Sequence, residues 1–183
     1  MPRAGGFFFE MMQLTDTDFE LFDVPARFAQ DPAALDARWK ALQREAHPDR
    51  FAAQGAAAQR LAMQWSVRIN EAYQRLKDPV RRAAYLCGQH GVALDAEDNT
   101  AMPADFLMQQ MAWREALDEV ASAEDLEKLR TEVEDGRARA LSSLDWLIDE
   151  QGDYPAAAQQ VRALMFIERF ARDVEDKSDP WGQ

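Results

Sequence analysis

A single cysteine, Cys87, stands in a chain of 183 residues. One thiol cannot make an internal disulfide framework, nor can it alone supply an all-cysteine zinc or iron–sulfur site. Histidine is nearly as scarce: His47 and His90 lie apart and form no His-rich metal cluster, so no cofactor is expected. No apolar run approaches the roughly 18 residues that a membrane-spanning helix needs. Phe7-Phe8-Phe9 is cut off by Glu10 and preceded only by Arg3, a poor match to a signal peptide. Glycine and proline number eight each, and no Gly-rich phosphate loop is among them. Positive charge is thin in the second half, where residues 92–183 hold 9 Lys and Arg against 22 Asp and Glu. Residues 1–91 hold 12 against 11. A phosphate backbone would be repelled by the acidic half, which argues against a nucleic-acid ligand. The asymmetry also predicts two modules with different partners. These absences fit a reducing, cytoplasmic setting away from membranes.

What is present is helical. Alanine is abundant, and 47% hydrophobic with 30% charged residues is ordinary for a soluble globular protein. Asp18 to Phe22 can form a brief first helix. Asp31-Pro32 reads as a cap with proline at the first helical position. From there Leu35, Trp39, Leu42 and Ala46 recur on one face, while Lys40, Arg44 and His47 project from the other with Arg38 near the flank. A second long helix runs from about Ala56 to Leu76, with Leu61, Trp65, Ile69, Ala72 and Leu76 as its buried stripe. Asp78-Pro79 ends it and opens a short helix with Arg81, Arg82, Tyr85 and Leu86. The two long helices are expected to pair as an antiparallel hairpin.

His47-Pro48-Asp49 falls at the tip of that hairpin. Proline stops the helix, so a ring, a locked backbone and a carboxylate are presented in fixed relation. On the tripeptide alone an ordinary Pro-Asp turn is the plainer reading. The context changes that. A short helix, a basic-faced helix, His-Pro-Asp, a helix bearing Ile69-Asn70-Glu71-Ala72-Tyr73, then Asp78-Pro79 with Arg82 and Tyr85, resembles the J-domain of DnaJ-class co-chaperones. The resemblance implies binding to a DnaK-class chaperone ATPase and stimulation of its hydrolysis. By that resemblance His47, Pro48 and Asp49 carry the stimulation, and Arg38, Lys40 and Arg44 supply a positive docking face. Physics is consistent with this: exposed basic residues steer toward an acidic surface, and Asp49 could engage a partner arginine. The plainer alternative for Lys40 and Arg44 is a solvated helix face.

After a polar stretch at 91–103, containing Asp95, Glu97, Asp98 and Asn99, three helices are predicted at about 104–120, 124–150 and 155–176. Leu126, Leu129, Val133, Ala140, Leu144 and Leu147 make the stripe of the second; Leu164, Ile167, Ala171 and Val174 that of the third. Gly152 and Pro155 mark the turn between them. Short connections imply an antiparallel three-helix bundle. In the first helix Phe106, Trp113, Leu117 and Val120 form the core stripe, and Leu107, Met108 and Met111 fall on another side with Glu115 and Glu119. Periodicity leaves two readings of that strip. It is either a protein-binding face or a surface packed against the first module or the loop.

The whole pattern, an N-terminal J-domain at 14–90 followed by an acidic bundle at 104–176, resembles the HscB family, co-chaperones of iron–sulfur cluster assembly. Leu21-Phe22-Asp23-Val24-Pro25-Ala26-Arg27-Phe28 resembles the family's opening, His47-Pro48-Asp49-Arg50-Phe51 its tip, and Phe106-Leu107-Met108 with Arg114-Glu115 its bundle. The Gly/Phe-rich linker and cysteine-rich zinc region of generic DnaJ proteins are absent. The resemblance implies an all-α fold, an IscU-type scaffold as client, an HscA-class chaperone as partner and no active site in this chain. It implies scaffold binding by Leu107, Met108, Met111, Glu115, Glu119 and Phe166. Ala112 departs from it, standing where the family can carry a carboxylate. The first dozen residues match nothing specific and are expected to be a disordered extension. They lack the cysteine pairs of some eukaryotic relatives. Two rivals remain: a J-domain co-chaperone with another client, and an enzyme using His47 and Asp49 as an acid–base pair. A convex, exposed tip is a poor place for the second.

Overall fold

The computed structural model describes residues 12–94 and 102–178. It is all-α, with no strand among the described residues. The carboxylates expected in the connecting stretch, from Asp95 to Asp98, lie outside the described residues, as does most of the N-terminal extension. The chain divides into two compact units, Met1–Arg82 and Ala83–Gln183.

In the first unit α1 spans Asp18–Phe22, α2 Pro32–Glu45 and α3 Ala56–Lys77. A capping box starts α1: Thr17 accepts from the Glu20 backbone N–H, and Glu20 accepts from the Thr17 N–H. Asp31 caps α2 by accepting from the Ala33 N–H at 2.9 Å. Leu35, Leu42, Ala46, Trp65, Ile69, Ala72 and Leu76 are buried between them. Polar ties fix the register of the hairpin. Trp39 Nε1 and Gln43 Nε2 both donate to Asn70 Oδ1, at 2.9 and 2.8 Å. Ser66 Oγ donates to the Ala46 carbonyl at 3.1 Å. Trp39 is half-buried rather than core, because its indole N–H reaches out to Asn70.

The short α1 is anchored through a fully buried carboxylate. Asp18 is 0% exposed and lies 2.6 Å from both Arg68 Nη1 and Arg75 Nε. Leu61, expected in the core of α3, is 38% exposed, and Ala62 at 0% takes the buried place. Periodicity gives a direction but not a neighbour. The ties to α1 begin at Arg68, seven residues or roughly 10 Å farther along the helix.

Helix α4, Pro79–Gln89, is where the two units divide. Its start belongs with the first unit, where Arg82 donates to the Leu76 carbonyl and lies over the Phe28 ring at 5.1 Å. Its later turns belong with the second, where Cys87 Sγ approaches the Tyr154 carbonyl at 3.7 Å and His90 stacks on Tyr154. The division therefore falls inside α4 and not in the loop that follows it.

The second unit adds α5 at Ala104–Glu119, α6 at Ala123–Asp145 and α7 at Tyr154–Ser178. Leu126, Leu129, Val133, Ala140 and Leu144 on α6 are buried with Val161, Leu164, Ile167, Phe170 and Val174 on α7. The α6 stripe does not end at Leu147 as its spacing predicts. Residues Trp146–Gln151 form a π-helical segment, whose wider turn shifts the phase. Ile148 is buried, Leu147 only half so, and Trp146 is turned out to 55% exposure. Ala171 is likewise half-buried, beside the fully packed Phe170. In α5 only Trp113 is buried, and Phe106, Leu117 and Val120 are partly covered.

Candidate functional sites at the hairpin tip and on the bundle

The tip is a structured turn. Pro48–Gln54 forms a 3-10 helix that His47 caps, with Phe51 inserted into the core at 3% exposure. The Asp49 backbone N–H donates to His47 Nδ1 at 3.3 Å, and the Arg50 N–H donates to the His47 carbonyl at 3.0 Å. A neutral ring accepting at Nδ1 carries its proton on Nε2. Arg50 also donates from Nη1 to the Arg44 carbonyl at 3.2 Å, closing the end of α2 with a basic side chain. The side chains of His47 and Asp49 remain 58% and 91% exposed. Gly55, at φ 95°, takes the chain from this turn into α3.

Lys40 and Arg44 are exposed on the outer face of α2, four residues apart and leading to the tip. Arg38 is not with them. Two residues from Lys40 at about 100° per residue, it lies on nearly the opposite side of the helix. It is half-buried, with its Nε enclosed. The basic face is therefore narrower than the sequence suggests.

On the bundle, Leu107, Met108 and Met111 are 45%, 69% and 71% exposed, and Glu115 and Glu119 beside them are also exposed. Three soft apolar side chains edged by carboxylates on one helix make a surface suited to a partner protein. Among the described residues no group of His, Cys, Asp and Glu could hold a metal ion. No helix there is long and apolar enough to cross a membrane.

Residues 102–175 match the family described as the HSCB C-terminal oligomerisation domain. A co-chaperone protein HscB homolog of Burkholderia multivorans is 51% identical over 167 residues, covering 90% of this chain and 95% of the relative. This chain belongs to the HscB co-chaperone family. A second HscB homolog, from Bordetella parapertussis, is 50% identical over 160 residues, covering 87% of this chain and 94% of the relative. Solved structures agree across the length of the fold. The chaperone HscB from Vibrio cholerae superposes with a TM-score of 0.79 at 36% identity, over 91% of this chain and 99% of that one. The human co-chaperone protein HscB superposes with a TM-score of 0.85 at 25% identity, over 92% and 85%.

In this HscB-family chain Phe166 is not a free member of the apolar strip. It is half-buried, edge-on to Phe106 at 5.8 Å and parallel to Phe170 at 6.0 Å. The Arg114 guanidinium lies over the ring, 5.5 Å from its centre. Arg114 is seven residues from Leu107 and so on the same column of α5, which brings Phe166 to the edge of the strip. The spacing held that signal, but only the structure shows that Phe166 is set among Phe106, Phe170 and the Arg114 guanidinium. Cys87 is buried, and burial pushes its thiol up to about 11, so it stays protonated and unreactive at neutral pH.

Proposed function

We propose that this chain is a co-chaperone of iron–sulfur cluster assembly, acting in the cytoplasm without membrane or nucleic acid. Residues 104–176 hold an IscU-type scaffold on the Leu107, Met108, Met111, Glu115 and Glu119 surface, with Phe166 at its border. Residues 14–90 engage an HscA/DnaK-class chaperone through His47, Pro48 and Asp49, with Lys40 and Arg44 as the steering charges and Arg38 as a lesser contributor. Docking stimulates the chaperone's ATP hydrolysis, which strengthens its hold on the scaffold and promotes cluster release. The chain itself performs no covalent chemistry.

The observation that carries this reading is the tip. A 3-10 turn capped by the His47 ring holds an imidazole and a carboxylate in fixed relation while leaving both in solvent. Such a turn is arranged to touch another protein; as an acid–base site it lacks walls to exclude water. Steady-state ATP turnover by the chaperone, with wild type or His47→Gln, is the test. The wild type should stimulate and His47→Gln should not, while scaffold binding by calorimetry stays the same. Equal stimulation by both proteins overturns the J-domain role. Stimulation without any scaffold binding points to a different client.

A further inference from the structure

We infer that Met63 and Val67 on α3 form an apolar extension of the chaperone-docking face, an inference that rests on the function proposed above. Both are strongly exposed, at 60% and 54%, and they sit four residues apart on one side of the helix. Together with Arg60, Gln64, Arg68 and Glu71 they line a shallow depression of about 440 Å³. Isolated exposed apolar residues need no explanation. This pair differs in where it lies. Gln43 of α2 meets Asn70 of α3 at the seam of the hairpin. Met63 is seven residues before Asn70, so it shares that column of α3, with Val67 next to it toward solvent. Lys40 is three residues before Gln43, on the solvent side of the same seam. The basic face of α2 and the apolar pair of α3 are therefore two halves of one outward surface of the hairpin.

Charge selects the occupant. A second copy of this surface would bring Lys40, Arg44 and Arg60 against their own kind, with Glu71 the single carboxylate in the lining to offset them, which is unfavourable. An acidic surface with an apolar centre satisfies both halves, and that is the chemistry expected of a chaperone that the basic face attracts. Exposed charges at the rim set the rate of encounter, while buried apolar anchors hold the complex once formed. Lys40 and Arg44 bring the chaperone in; Met63 and Val67 slow its departure.

The test combines methyl resonances with kinetics on the full chain. With ¹³C-methyl methionine label, the Met63 signal should shift or broaden when a DnaK-class chaperone is added, and Met108 and Met111 should not. Adding an IscU-type scaffold should do the reverse. The variant Met63→Gln with Val67→Gln keeps helix-compatible side chains at exposed sites and should leave the urea midpoint unchanged. It should raise the concentration for half-maximal ATPase stimulation about tenfold, through faster dissociation and with the salt dependence of association unaltered. A half-maximal concentration within twofold of wild type, with an unmoved Met63 signal, overturns the inference while leaving the tip's role standing. A Met63 signal that moves with the protein's own concentration and without chaperone also overturns it, in favour of self-association. If wild type gives no stimulation at all, both readings fall together.

Discussion

Leu107, Met108 and Met111 show how burial separates a proposed binding role from packing at single residues. They share α5 with Trp113, which is 2% exposed, yet Met108 and Met111 remain largely in water and Leu107 nearly half so. Replacing them together with alanine removes little buried area, so each change should stay within about 0.5 kcal/mol of folding stability. Trp113→Ala, by contrast, should cost roughly 3–5 kcal/mol as a cavity opens among the helices. If the proposed scaffold role is correct, the triple alanine variant loses scaffold affinity at least a hundredfold, because a few central apolar anchors dominate such interfaces. Calorimetric titration with the scaffold, run beside urea melts, reads both quantities. Marked destabilisation with unchanged affinity would mean that these side chains are structural.

Elements rather than residues decide where the strip points, and there the sequence is only partly legible. Leu42, Ile69, Leu144 and Leu164 could be read from spacing alone, and each is 0% exposed. Leu61 could not, since Ala62, one position on, takes the buried place and spacing alone does not choose between the two. Leu147 could not either, because a π-helical segment changes the angle per residue without a proline or glycine to announce it. The 3-10 form of the tip was hidden for a similar reason. His-Pro-Asp marks a stop, whereas the turn that follows depends on Phe51 finding the core. The spacing of α5 is also set by something the stripe does not reveal. At Gly136 on α6 an added Cβ would fall 2.8 Å from Cη2 of Trp113, so the absence of a side chain lets the edge of the indole approach α6 closely. Gly136→Ala should destabilise the second unit by about 1–3 kcal/mol despite the higher helix propensity of alanine. It should also weaken scaffold binding, because α5 carries the strip and moves with Trp113. A urea midpoint equal to or above wild type would show that the ring has room to tilt into the cavity of about 330 Å³ that it borders.

For the whole molecule the question is how a chain of net charge −12 would approach the acidic chaperone surface proposed for it. All of that charge belongs to residues 92–183, and residues 1–91 are close to neutral and slightly positive. If net charge governed the encounter, added salt would screen repulsion and speed association. If the local face of Lys40 and Arg44 governs it, salt would screen attraction and slow association, since exposed charges act over only about 10 Å at 0.1 M ionic strength. The sign of the salt dependence therefore tells the two apart. Wild-type association with the chaperone, followed by stopped flow, should slow as salt rises. Reversing Lys40 and Arg44 to Glu should slow it at least tenfold at low salt and invert the trend, because the remaining field is then repulsive throughout. Scaffold affinity should be unchanged in that variant, its proposed surface being on α5. The two variants in the hairpin then fail differently: charge reversal in the rate of arrival, loss of Met63 and Val67 in the rate of departure. Association rates indifferent to both salt and charge reversal would remove Lys40 and Arg44 from the docking face and leave the tip to act without electrostatic guidance.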